Sequence, residues 1–84
     1  MKEQVVRPVH IVADPAIMLG KPTIEGTRIT VELILEDLSQ GATVDELMDE
    51  YDLSRDAVLA AIHHAWELTR DEADAAVQRR MQEG

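Results

Sequence analysis

The stretch Gly20-Lys21-Pro22-Thr23-Ile24-Glu25-Gly26-Thr27-Arg28-Ile29-Thr30-Val31 limits what this chain can fold into more than any other. Pro22 locks its own φ and drives Lys21 into an extended conformation, while Gly20 and Gly26 permit positive φ on either side. Two sharp changes of direction therefore fall within a few residues. Thr23-Ile24 and Thr27-Arg28-Ile29 flank Glu25-Gly26, a two-residue loop of the kind that closes a tight hairpin. Ile24 and Ile29 are the only large apolar side chains of the hairpin, so they point inward and leave Lys21, Glu25 and Arg28 to water or to a partner. Thr30 then stands where a helix needs its N-cap.

A lone hairpin cannot bury its apolar face, so the flanking segments must supply the rest of a core. Upstream, Val9-His10-Ile11-Val12 is β-branched apart from the histidine and ends at the turn signal Asp14-Pro15. It reads as a short strand, expected to pair with the second hairpin strand around residues 27 to 29, within the chain or across a dimer. Ile17, Met18 and Leu19 form an apolar patch that the helices are expected to cover. Downstream, a first helix is expected over residues 31 to 40, with Glu32 in its first turn, Gly41 as its stop, and Val31, Ile34, Leu35 and Leu38 on one face. Thr43-Val44-Asp45-Glu46 is a capping box opening a second helix to Tyr51, with Leu47, Met48 and Tyr51 as its apolar stripe. Ser54 caps a third helix, whose inner face is expected to be Val58, Leu59, Ile62, Ala65 and Trp66.

Two short capped helices followed by a longer one, with a few residues between them, is helix-turn-helix organisation. The expected fold is therefore mainly α: a three-helix helix-turn-helix core preceded by a short β ribbon, together occupying residues 9–69. Residues 1–8 show no periodicity and read as a flexible arm. The apolar pattern does not stop at Thr69, because residues 71 to 81 contain no Gly or Pro and Ala73, Ala76, Val77 and Met81 continue the stripe. An unbroken third helix would be about 40 Å long at about 1.5 Å per residue. Its far end, residues 70–84, must then project from so small a body as a C-terminal helical extension, whose apolar stripe is either buried against another chain or left partly disordered.

Size and charge bound the function. The chain has 84 residues, 45% of them hydrophobic, which puts its core near the lower limit for independent stability and favours a homodimer. It has no cysteine, so no disulfide or thiolate metal site is available and a reducing cytoplasm is the expected compartment. No apolar run approaches a membrane span, and no membrane partner is expected. The net charge of −9 opposes nucleic-acid binding at long range, yet it is concentrated: residues 31 to 53 carry eight acidic side chains and no basic one.

Each candidate contact residue has a plainer role beside its functional one. Lys21 and Arg28 could hold a phosphate backbone with help from the amides near Gly20 and Gly26, or Arg28 could pair with Glu32 and lock the hairpin to the first helix. Ser54 and Arg55 open the third helix, from which a recognition helix contacts bases or phosphates, while Ser54 caps that helix in any case. Ala60, His63, His64 and Glu67 are expected on its exposed side. His63 and His64 are adjacent, point about 100° apart on a helix and cannot chelate one metal as an i, i+4 pair would. Neither has a nucleophile and an orienting acid at readable spacing, and the acidic residues crowd onto solvated helix faces. The glycine block is not a phosphate-binding P-loop, because Lys21 precedes a proline. A binding protein with no metal or cofactor is expected rather than an enzyme, with Trp66 as packing or as the anchor of an interface.

The block Gly20-Lys21-Pro22-x-Ile24-x-Gly26-Thr27-Arg28-Ile29-x-Val31, the helix carrying Ile34, Leu35 and Leu38, then Gly41-x-Thr43 and an acidic second helix, closely resembles family 433 of the domain-of-unknown-function series. The resemblance covers residues 10 to 67. It implies a small winged or ribbon-bearing helix-turn-helix domain, found as the antitoxin beside a PIN-like ribonuclease toxin. On that footing the core would bind operator DNA through Lys21, Arg28, Ser54 and Arg55. Trp66, Ala73, Val77 and Met81 would bind the toxin, with Arg79 and Arg80 placed to engage its acidic metal-binding site. The chain departs from the family pattern at Tyr51-Asp52-Leu53, where the family often has Tyr-Pro, and Asp52 adds a negative charge beside the third helix.

Overall fold

Thr23–Ile24 form a strand, β2, hydrogen-bonded along both of its edges. The computed structural model describes residues 9–83 and their side chains through Arg70, so the expected arm over residues 1–8 lies outside the described residues. On one edge β2 pairs antiparallel with β1, Ile11–Val12, in the register Ile11 to Ile24 and Val12 to Thr23, and the Glu25 amide adds a bond to the His10 carbonyl at 2.9 Å. On the other edge the Ile24 amide donates to the Ile29 carbonyl (3.0 Å), Thr23 bridges Thr30, and the Val31 amide donates to the Pro22 carbonyl (2.9 Å). Successive residues of a strand turn their peptide groups to opposite edges, which is how so short a segment holds two neighbours. Pro22 lacks an N–H at the point where the facing Val31 carbonyl already belongs to a helix, so no ladder bond is forfeited.

The partner expected for β1, around residues 27 to 29, is thus displaced by β2 itself. The hairpin loop spans residues 25 to 28 rather than two residues, with Gly26 at φ +83° in the position a type II turn reserves for glycine. Thr27 reinforces it: its amide and its Oγ1 donate to the Ile24 carbonyl at 3.0 and 2.8 Å, and its Oγ1 accepts from the Ile29 amide at 2.9 Å. Thr27 and Arg28 are consumed by the turn and cannot serve as strand.

The helices begin and end where their capping residues stand. Helix α1, Val31–Ser39, starts with the Leu33 amide donating to Thr30 Oγ1 (3.0 Å). Helix α2, Val44–Tyr51, carries both bonds of its capping box, Thr43 N to Glu46 Oε1 (2.8 Å) and Glu46 N to Thr43 Oγ1 (3.1 Å). Asp52 ends it at φ +54°, a left-handed C-cap that a short polar side chain tolerates. Helix α3, Arg55–Glu83, starts with the Ala57 amide on Ser54 Oγ (3.1 Å) and crosses position 70 without a break. The molecule is mainly α with a short β ribbon at its N-terminal side, as expected.

Ile24, Val31, Ile34, Leu47, Ala57, Val58 and Ala61 form the buried core, with Leu35, Leu38, Met48, Ile62 and Ala65 packed partly against it. Two expectations about this core fail. Leu59 and Trp66 are 41% and 52% exposed, because α3 turns its small residues Ala57, Ala61 and Ala65 toward the body. Small side chains let helix axes approach closely, and the largest apolar residues then fall outside the contact. The patch at Ile17, Met18 and Leu19 is not covered by the helices either: Ile17 is half-buried, Met18 is 45% exposed and Leu19 is 94% exposed.

At about 1.5 Å per residue the 29 residues of α3 make a rod about 43 Å long. Its contacts with the core run from Ala57 to Ala65. The radius of gyration is 16.1 Å, against about 12 Å for a compact chain of this length, and the longest dimension is 57 Å against 34 and 30 Å for the others.

Candidate functional site

Four residues were expected to face DNA, and the fold divides them. The Val31 amide bonded to the Pro22 carbonyl lays Lys21 alongside the first turn of α1, where Lys21 Nζ meets Glu32 Oε1 at 2.9 Å. The ion pair expected between Arg28 and Glu32 is therefore made by Lys21 instead. Arg28 precedes the inward-facing Ile29, projects from the loop and, among the described residues, makes no ion pair. Arg55 Nη1 lies 3.6 Å from Asp45 Oδ1 of α2, a pair exposed on both sides. Ser54 spends its hydroxyl as the acceptor that caps α3.

Ser54 and the hairpin loop share a cavity of about 310 Å³, which brings Glu25 and Thr27 against Leu53, Ser54 and Ala57. Arg28 follows Thr27 and Arg55 follows Ser54, so the backbones that carry these two cations border that cavity. Lys21 lies elsewhere, in a groove whose α3 wall is His64, Ala65 and Leu68. Fourteen residues of helix separate Ser54 from Leu68, about 21 Å. Around the start of α3 the carboxylates Glu25, Asp45, Asp52 and Asp56 outnumber the cations, which lowers the attraction of that end for phosphate. Exposed pairs such as Lys21–Glu32 and Arg55–Asp45 are weak and open to competition, typically contributing about 0–1 kcal/mol.

The second group of candidates sits on α3. Trp66 is exposed, with the His63 ring 5.4 Å away at 30° and the Arg70 guanidinium over its ring, 5.4 Å from the centroid. His63 Nε2 approaches Glu67 Oε1 at 2.7 Å one turn on. Helical spacing puts positions 70, 73 and 77 within about 40° of position 66, while position 79 falls about 140° away on the other side of the rod. Ala73, Val77, Arg79, Arg80 and Met81 lie on the helical backbone of α3, and their side chains lie outside the described residues. Among the described residues no group of three or more His, Asp or Glu is placed to hold a metal ion, and no helix is long and apolar enough to cross a membrane.

Two features escaped the sequence reading. The first is the groove beside Lys21, about 390 Å³, walled by Pro22, Val31 and Leu35 on one side and Ala65 and Leu68 on the other. Leu35 and Leu68 are 33 residues apart, so no local pattern could have joined them. The second is a bond from Tyr51 Oη to Asp37 Oδ2 at 2.5 Å, tying the end of α2 to α1. Accepted by a carboxylate, half-buried and ringed by Glu50 and Glu36, the phenol is pushed up to about 12 from its ordinary 10.0.

Residues 11–65 match the family described as a protein of unknown function, DUF433, and the chain belongs to that family. No curated protein and no solved structure matches it. The matched region comprises the ribbon, α1, α2 and the part of α3 that carries the buried stripe, and it ends at Ala65 where α3 begins to leave the body.

Proposed function

We propose that this chain is the antitoxin of a type II toxin–antitoxin system, a cytoplasmic homodimer that binds and neutralises a PIN-like ribonuclease toxin and binds its own operator DNA as an autorepressor. The observation that carries the reading is the length of α3: among the described side chains its packing against the core ends at Ala65, and 18 further helical residues run on to Glu83. A helix that extends past its own core offers a partner a continuous face, and Trp66 with its His63 and Arg70 neighbours opens that face with an aromatic anchor. Ala73, Val77, Arg80 and Met81 extend that face, and Arg79, on the other side of the rod, is reached by a partner that wraps the helix. The role is binding, without cofactor or metal.

For DNA, the support is Arg28, an exposed cation on the hairpin loop close to the start of α3, with Arg55 and Ser54 beside it. Lys21 would have to release Glu32 to join them. A second reading is favoured by these ion pairs and by the carboxylates around the start of α3: an interaction module that neutralises the toxin without useful DNA affinity.

Removing residues 71–84 is expected to abolish toxin neutralisation while leaving the far-ultraviolet signature of a folded body, and a truncated chain that still silences the toxin sinks the tail assignment. The full chain is expected to retard a fragment of its own promoter in a gel, with affinity falling steeply as salt rises. Arg28→Ala is expected to weaken that shift with an unchanged melting temperature. No shift at low salt, even with toxin present, leaves the interaction module.

A further inference from the structure

Met18, Leu19 and Gly20 have φ of +50°, +59° and +83°, three consecutive residues in the left-handed region. Together they make one left-handed turn, closed by Gly20 N to Ile17 O and Lys21 N to Met18 O, both 3.1 Å. Two of the three are not glycine, and such residues adopt this conformation at a cost that recurs where a segment serves a contact. The turn holds Leu19 out from the body at 94% exposure, with Met18 beside it at 45%. A rigid apolar knob results.

The groove bounded by Pro22, Leu35 and Leu68 begins at Lys21, two residues along the chain from Leu19. Two residues of backbone span at most about 7 Å, so the turn that carries the knob stands at the groove's rim. Leu19 does not fill the groove of its own chain, since it is almost wholly exposed. At about 390 Å³ the groove has room for more than one large side chain, and Leu68 on its α3 wall is itself 57% exposed. Lys21 and Glu32 beside it are exposed and paired with each other at 2.9 Å, so the rim presents no unbalanced charge to oppose a second copy.

We propose that Met18 and Leu19 of one copy dock into the apolar groove of a second copy, reciprocally about a two-fold axis. One patch of surface supplies both the projecting and the receiving half, which is the requirement of an isologous interface. The interface buries the chain's most exposed leucine. The inference rests on the homodimer in the reading above and supplies its contact surface.

Sedimentation of the full chain over a range of concentrations tests it. Wild type is expected to be a dimer, and Leu19→Glu and Leu68→Glu are each expected to weaken the dimer by about 100-fold or more, since either puts a charge into the apolar contact. Leu59→Glu, an exposed position on α3 outside the groove, is expected to change it by less than about threefold. Because the chain has no cysteine, mixing a Leu19→Cys chain with a Leu68→Cys chain under oxidation is expected to give a covalent dimer, and mixing Leu19→Cys with Leu59→Cys is not. A dimer that survives both glutamate substitutions places the interface elsewhere and overturns the docking alone. A wild type that stays monomeric at every concentration overturns the docking and the homodimer together. Toxin capture lost by that monomer on Leu19→Glu would assign the knob to the toxin and likewise overturn docking between copies.

Discussion

Thr23 and Ile24 lie five residues along the chain from Met18 and Leu19, and the two pairs meet opposite fates. Thr23 and Ile24 are 0% and 3% exposed, whereas Met18 and Leu19 are 45% and 94% exposed. Apolarity does not separate them, since the exposed pair is the more hydrophobic. The difference lies in the backbone. The strand turns its peptide groups outward to two edges and must draw in β1 on one side and residues 29 to 31 on the other, which buries whatever side chains it carries. The left-handed turn closes its hydrogen bonds on itself, so it recruits no neighbour and stands off from the core.

The largest effect expected from this contrast is in the core. Ile24→Ala should lower unfolding free energy in urea by about 2–4 kcal/mol, while Leu19→Ala in the Leu68→Glu background, where association does not contribute, should stay within about 0.5 kcal/mol. Equal losses at the two positions would break the comparison. A smaller effect of opposite sign is expected from Leu19→Gly in the same background, which should stabilise the chain by up to about 1 kcal/mol because glycine relieves the left-handed strain. A loss there would mean that Leu19 is held by contacts within its own chain.

The smallest effect separates the ribbon, held by uncharged backbone groups, from the α1–α2 contact, held by Tyr51 and Asp37. The folded chain keeps the Tyr51 phenol protonated up to about 12, because Asp37 accepts its hydrogen bond first of all and because burial and the nearby carboxylates add to that, whereas the ordinary value is 10.0. The Tyr51 contribution is therefore whole below pH 10 and is lost as pH rises from 10 to 12. The stability gap between wild type and Tyr51→Phe should close over that window, and the single tyrosine makes the ionisation readable by absorbance. A gap independent of pH would remove the hydrogen bond as its cause.

Thr30, Thr43 and Ser54 show why the helix starts were legible in the sequence. Each acts on an amide three residues ahead, so all of the chemistry lies within one turn of the chain. The inner face of α3 was only half legible. Spacing alone selected Val58, Ile62 and Ala65 together with Leu59 and Trp66, while the fold buries Ala57 and Ala61 and leaves Leu59 and Trp66 exposed. Size and burial part company wherever helix axes come close, and sequence carries size but not axis distance. The candidate site fared likewise. Glu32 stood in reach of two cations, and the bond from the Val31 amide to the Pro22 carbonyl decided for Lys21, which left Arg28 exposed.

By itself the amino-acid sequence determined the turn glycines, the three caps, the order of ribbon and helices, the acidic middle segment and membership of the family. These depend on interactions a few residues long or on residue identities in order. Only the tertiary structure decided that β2 takes two neighbours, that Lys21 rather than Arg28 holds Glu32, and that a groove between Leu35 and Leu68 opens beside an exposed Leu19. Each of those outcomes depends on distances between segments far apart in the chain, and such distances exist only once the core has closed.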